Sequence, residues 1–226
     1  MNKSKSEYIE IICLANSRKS SGRCIAGKST DSGHWLRPVS SRSSMEISEE
    51  ERVYSDGSMP QLLDIIQIPV LEAQPVIHQT ENFIIDDRCH WAKTARYQKS
   101  ELKALLDQPI DLWGAGASSY QGLNDRVADS SAYDKSLYLI EPERMTIIVR
   151  IEGAEFNNAK RKIRARFDYR GKNYTFPVTD PMIERKYFKK PDGEYSVSCV
   201  CICVSLGLQH SDGYCYKFVS AVFEGI

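Results

Sequence analysis

The stretch whose spacing most resembles a chemical motif is the string GRCIAGKS at residues 22–29. It has the spacing of a phosphate-binding loop, in which backbone N–H groups and a lysine surround phosphates at the start of a helix. That chemistry needs a buried strand before the first glycine and a helix after the lysine. Here a polar loop precedes Gly22, and the residues between Ser29 and Pro38 cannot form a useful helix. The apolar residues around Ile25 predict a strand, which argues against a nucleotide hydrolase.

The spacing of the cysteines and histidines gives little support for metal binding or catalysis. Cys199, Cys201 and Cys203 alternate along one predicted strand, so neighbouring thiols lie roughly 6.6 Å apart, too far for one tetrahedral zinc. We expect them to pack in a core. The four histidines, His34, His78, His90 and His210, fall in different segments and pair with no evident nucleophile. The sequence therefore favours a protein that is not an enzyme, with no catalytic residue, metal or cofactor assigned.

A basic set near the N-terminus points to nucleic acid. It consists of Arg18, Lys19, Arg23, Lys28 and Arg37, with Trp35 between the last two. Arginine and lysine contact the phosphate backbone, and an aromatic ring stacks on a base. Arg37 precedes Pro38 at a predicted strand end, where its guanidinium can present a bidentate fork to phosphate. The alternative is a solvated basic loop with Trp35 in the core.

A second basic cluster lies between residues 160 and 172, and we assign Arg164, Arg166 and Arg170 of it to nucleic-acid binding. These residues alternate with Phe167 and Tyr169, so a hairpin places cations on one face and aromatic side chains on the other. The aromatic face either contacts bases or packs in a barrel core. In the second case the cations make most of the contact, and binding is salt-sensitive and weakly sequence-specific.

Composition sets wider bounds on the protein. Its 226 residues carry 30 basic and 30 acidic side chains, so any nucleic-acid surface must be a local patch. With 42% hydrophobic and 27% charged residues, it resembles an ordinary globular protein. An odd number of cysteines, no apolar signal segment and no run of 18 apolar residues predict a cytoplasmic protein without a membrane partner.

The elements that position these residues are mainly strands. Residues 8–39 predict a three-stranded meander, Ser48 and Glu51 have the spacing of a helix capping box, and Leu62 to Val76 continues the β pattern. After a mixed segment with a short helix, strands return from Tyr138, including a hairpin at 163–170 and 174–178. We predict a mainly β protein of two five-stranded barrels, with domains 1–85 and 136–226 joined by a helical and loop connector, 86–135.

Several segments resemble a known family, the dual OB domain proteins of prokaryotes. The matching strings are CLANSRK from Cys13, GRCIAG from Gly22, WLRPV from Trp35, CVSLG from Cys203 and GYCYKFV from Gly213. The resemblance covers nearly the whole chain and implies two OB folds, nucleic-acid binding, and a link to defence or mobile-element systems. It brings no catalytic residues with it.

These observations favour a binding module for nucleic acid, with single-stranded or distorted DNA or RNA as the preferred form. The first alternative is a sensor of a small molecule or nucleotide held near Trp91 and Trp113 in the connector, where aromatic side chains are frequent. The second is an adaptor that binds a protein partner through its barrel surfaces.

Overall fold

The computed structural model describes residues 7–114, 116–128 and 130–225, without the side chains of Cys199 and Val200. Strands dominate the described residues, which confirms the predicted mainly β class. The chain divides into two compact units, residues 1–105 and 106–226. Residues 86–135, the predicted connector, are shared between these units.

The first unit is a closed five-stranded barrel. Its strands are β1 (Glu7–Lys19), β2 (Gly22–Ser29), β3 (Trp35–Val39), β4 (Asp64–Ala73) and β5 (Asn82–Ile85), with β6 (Ala92–Arg96) paired to β4 outside the ring. The strands follow the order β1-β2-β3-β5-β4, and β4 pairs back to β1. All barrel pairs are antiparallel except β3 with β5. This is the predicted OB-like topology.

The alternation of apolar residues explains how the first barrel forms. Ile11 and Cys13 on β1, Ile25 on β2 and Ile66 on β4 all face one interior, as the two-residue period of a strand requires. Helix α1 (Glu49–Arg52) precedes β4, and the predicted capping box between Ser48 and Glu51 is confirmed at its start. A 3₁₀ helix, Lys99–Leu105, ends the unit.

The second unit repeats this plan in two sheets. Its strands are β7 (Arg126–Val127), β8 (Leu137–Ile140), β9 (Arg144–Glu152), β10 (Lys160–Tyr169), β11 (Lys172–Pro177), β12 (Gly193–Ser196), β13 (Cys199–Gln209) and β14 (Cys215–Glu224). One sheet has the order β11-β10-β9-β12 and the other β7-β14-β13-β8. The predicted 163–170 and 174–178 hairpin corresponds to β10 and β11, joined by a turn with positive φ at Arg170 and Gly171.

Two connections join these sheets into an OB-like barrel. Only Val197 and Ser198 separate β12 from β13, so one bent strand pairs with β9 first and with β14 afterwards. On the other side, Val178 directly after β11 forms a parallel bridge with Val219 of β14. Helix α2 (Pro181–Tyr187), capped by the Asp180 carboxylate, lies between the third and fourth barrel strands, the place that α1 takes in the first unit.

Aromatic side chains fill the second core. Phe167, Tyr169, Tyr174 and Phe176 are all buried there. Of the two interpretations of the hairpin aromatics, the structure supports core packing. No helix in the described part of the chain is long and apolar enough to cross a membrane.

Candidate functional site

The phosphate-loop string is a strand, which confirms the prediction from its apolar interior. Residues 22–29 are β2 and pair with β1 in antiparallel register. Gly27 is required for packing, because a Cβ atom there would lie 2.0 Å from the Ile12 carbonyl oxygen. The glycine therefore permits the close approach of two strands, and the string does not form a phosphate cradle.

Two cations of the N-terminal set are buried. The Arg37 guanidinium lies 3.0 Å from the Glu81 carboxylate, and both side chains are almost inaccessible. Lys28 donates a hydrogen bond to the Leu105 carbonyl at 2.8 Å, and its Nζ lies 5.6 Å from the centre of the half-buried Trp35 ring. Arg37, Lys28 and Trp35 therefore support the first barrel, and a phosphate would have to displace existing partners to reach either cation.

The other three residues of the set lie together at the β1–β2 turn. Arg18 and Arg23 are direct cross-strand partners, and Lys19 follows Arg18. Arg18 is exposed, whereas Lys19 and Arg23 are half-buried. Burial lowers the pKa of the nearby Arg52 guanidinium, and the charge of Arg23 lowers it further. The structure thus brings Arg18, Lys19 and Arg23 into one basic corner of the first barrel.

The outer face of β9 and β10 is the larger basic surface. Alternate residues of these strands face the core, and their neighbours face outward in matched register. We define the basic face as the outward positions of both strands. It carries six cations and two carboxylates: Arg144, Arg150, Lys160, Lys162, Arg164 and Arg166, with Glu152 and Asp168.

Carboxylates hold several of these arginines in fixed orientations. Arg164 donates two hydrogen bonds to Glu152, at 2.8 and 3.0 Å, and lies 3.5 Å from Asp125. Burial alone would raise the pKa of Glu152, but the hydrogen bonds from Arg164 and Arg150 hold it below its ordinary value. Arg166 forms a two-pronged pair with Glu194 of β12. Arg164 is largely buried in its pair, and Arg166 is exposed.

A groove lies on this face at the end near the β10–β11 turn. Its volume is about 430 Å³, and its lining includes Arg144, Thr146, Arg166, Asp168 and Asn173. The hydrogen bond from Asn173, together with that from Arg144, outweighs burial and holds the pKa of Asp168 below its usual range. The groove is in the size range of small-ligand sites. Arg170 is exposed on the turn beside it.

The far end of the basic face carries two exposed aromatic rings. Tyr120 and Phe156 lie edge to face with ring centres 5.7 Å apart. They are distant in the sequence and belong to no repeating pattern, so the sequence alone does not reveal the pair. The sequence gives only a partial signal. Each residue lies in a polar, glycine-containing loop, where a large aromatic side chain has few apolar neighbours to pack against.

Among the residues considered for metal binding and for a small ligand, those whose side chains the structure describes on β13 and at the two tryptophans are core residues. Cys201 and Cys203 are fully buried, and the side chain of Cys199 lies outside the described residues. Within the described part of the chain, no three His, Cys, Asp or Glu residues are placed to hold a metal. Trp91 and Trp113 are each buried in the core of their own unit.

Two barrels with this strand order define a protein of the OB fold, whose barrels commonly bind oligonucleotides or oligosaccharides. The chain belongs to the dual OB-containing domain family, whose model matches residues 9–222. The predicted family is therefore confirmed. Neither the curated proteins nor the solved structures include a match.

Proposed function

We propose that this protein is a non-catalytic nucleic-acid-binding module whose main contact surface is the basic face. The observation that carries this proposal is the excess of cations on β9 and β10, six against two carboxylates of these strands and the two neighbouring carboxylates of Asp125 and Glu194. In OB folds the second and third barrel strands contribute the ligand surface, and the second barrel strand here is β10, which carries four of the six cations. The chain as a whole carries no net charge, so this local excess of cations marks the surface along which a nucleic-acid backbone would run.

The cations divide into two roles. Lys160 and Lys162 are exposed, and Arg144 and Arg166 border the groove. These four supply phosphate contacts, because their side chains reach solvent. Arg164 is held by the carboxylates of Glu152 and Asp125 and keeps the neighbouring side chains of the basic face in place. Arg170, on the adjacent turn, extends the surface.

The basic corner of the first barrel, Arg18, Lys19 and Arg23, forms a second and smaller contact in this proposal. The remaining residues of the N-terminal set stabilise the first barrel and do not contact nucleic acid in this proposal; they are Arg37, Lys28 and Trp35. Because phosphate contacts dominate, binding is sensitive to salt and weakly dependent on sequence.

The test is fluorescence anisotropy with labelled single-stranded and duplex DNA and RNA, titrated at about 50 to 200 mM salt. We expect single strands to bind and affinity to fall steeply with salt. The double variant Lys160→Glu and Lys162→Glu should lose binding. Lys135→Glu, an exposed lysine outside the basic face, is the matched charge-reversal control. Absence of binding to all four nucleic acids at low salt contradicts the proposal.

A second candidate function is mononucleotide binding in the groove, which its volume of about 430 Å³ favours. Saturation by a mononucleotide, with an affinity that does not fall with salt and with no oligonucleotide binding, would support this second function.

A further inference from the structure

The Tyr120 and Phe156 side chains are unusually exposed for rings that contact each other. Tyr120 is 69% exposed and Phe156 is 68% exposed, although their centres are 5.7 Å apart. Aromatic rings normally contribute stability by burying their large apolar area. These two rings bury little, so their contact leaves ring surface open to solvent.

The loop that carries Tyr120 is firmly held. Asp125 is fully buried and accepts hydrogen bonds from the Ser119 backbone N–H at 2.7 Å and hydroxyl at 2.5 Å. Leu123 and Thr175 exchange backbone hydrogen bonds at 3.0 and 3.2 Å, which fastens the loop to β11. Gly122 is required, because a Cβ atom there would lie 1.8 Å from the Asp125 carboxylate. Tyr120 therefore projects from a fixed backbone.

The loop that carries Phe156 is also closed on itself. Gly153 has φ of +80°, and its carbonyl accepts hydrogen bonds from the backbone N–H groups of Phe156 and Asn158 at 3.1 and 3.0 Å. The Glu155 carboxylate lies close enough to Tyr120 to raise the pKa of the Tyr120 hydroxyl. Both rings are thus presented before any ligand arrives, which reduces the entropy cost of binding.

The aromatic pair lies at the end of the basic face. Lys160 begins β10 four residues after Phe156, and Lys162 pairs across the sheet with Arg150. Arg150 in turn donates a hydrogen bond to the Gln121 carbonyl at 3.1 Å, beside Tyr120. Exposed cations and exposed rings therefore meet at one edge of the second barrel, the combination that single-strand binding uses.

We propose that Tyr120 and Phe156 form a base-stacking subsite that makes the basic face selective for unpaired nucleotides. This inference rests on the proposed function, because it assigns a substrate class to the same surface. Bases within a duplex are stacked on each other and cannot offer a face to a protein ring. The Glu155 carboxylate beside Tyr120 repels phosphate, so a base approaches the rings while the backbone follows Lys160 and Lys162.

The test compares a labelled thymidine 12-mer with an abasic 12-mer of equal charge, using the full chain. The double variant Tyr120→Ala and Phe156→Ala should bind the thymidine oligomer roughly 5- to 160-fold more weakly, the range for one stacked base. Its affinity for the abasic oligomer should stay at the wild-type value. Tyr120→Phe combined with Phe156→Tyr retains both rings and should bind both oligomers as the wild type does.

The outcomes separate the two proposals. If the wild type binds neither oligomer, in its deoxyribose or its ribose form, the proposed function fails. If the wild type binds both and the alanine variant matches it on both, only the stacking subsite is overturned. Equal losses on both oligomers, with unchanged circular dichroism, also overturn it, since the rings would then act on the backbone contacts.

Discussion

Arg37 Nη2 lies 3.0 Å from Glu81 Oε1 in a buried ion pair. The pair stands where the first barrel closes, because the Arg37 backbone N–H also donates to the Glu81 carbonyl at 2.8 Å and β3 runs parallel to β5 from this point. Arg37 lies in the middle of β3, not at the predicted strand end, and its buried guanidinium is explained by an acidic residue 44 positions later in the chain.

Arg37→Ala should lower the free energy of unfolding by about 3–5 kcal/mol, because it leaves the buried Glu81 carboxylate without this partner. Urea unfolding followed by tryptophan fluorescence measures the change. Lys19→Ala, a half-buried cation of the same basic set, is the control and should change stability by about 0.5 kcal/mol or less. An Arg37→Ala protein as stable as the wild type, but unable to bind nucleic acid, would reverse the assignment.

Lys217 is a fully buried cation in the second barrel, on the same side of β14 as the core residues Cys215 and Val219. Its Nζ has no hydrogen-bond partner among the described residues. Burial lowers the pKa of Lys217 to about 8, although Asp111 and Asp125 act in the opposite direction. The unfolded chain, with a lysine pKa of about 10.4, binds more protons between these values, so stability should rise with pH in this window.

Lys217→Met should therefore be more stable than the wild type at pH 7, by an amount on the order of 1–3 kcal/mol. The variant should also lose the increase in stability between about pH 8 and 10. Urea unfolding at several pH values provides both measurements, with the exposed Lys135→Met as the control. Parallel stability curves for Lys217→Met and the wild type would show that the buried amine does not titrate in this range.

Lys160→Gln and Lys162→Gln test the basic face without charge reversal. Each substitution should reduce the slope of log affinity against log salt by about 0.7, the value for one phosphate contact with a single strand. Anisotropy titrations at four salt concentrations measure the slope. Lys135→Gln should leave it unchanged, and an unchanged slope in both face variants would remove these lysines from the interface.

Gly27→Ala should destabilise the first barrel by about 1–3 kcal/mol or more, because the added methyl group meets the Ile12 carbonyl oxygen. Thermal unfolding followed by circular dichroism measures the loss. A phosphate-binding role for this glycine would instead predict altered nucleotide affinity with normal stability.

Much of the fold could be predicted from the sequence because its signals are local. The alternation from Ile163 to Tyr169 and the turn glycine at Gly171 specify a hairpin within about fifteen residues. Ser48 and Glu51 specify a helix start in the same way. The candidate site depends on residues that are distant in the sequence. Arg37 is buried because it pairs with Glu81, and Phe156 belongs to the candidate surface only because its ring contacts that of Tyr120. No short-range pattern encodes either relationship.

The strand order determines which barrel can complete its folding first during synthesis. The first barrel is closed by β4 and β5, so all of its strands are available once Ile85 has left the ribosome. The second barrel closes through the bridge between Val178 and Val219. Val178, directly after β11, is therefore synthesised about forty residues before its partner in β14. Until β12 and β13 are made, the edges of β9 and β8 that pair with them are open, which makes the nascent second half dependent on protection from aggregation.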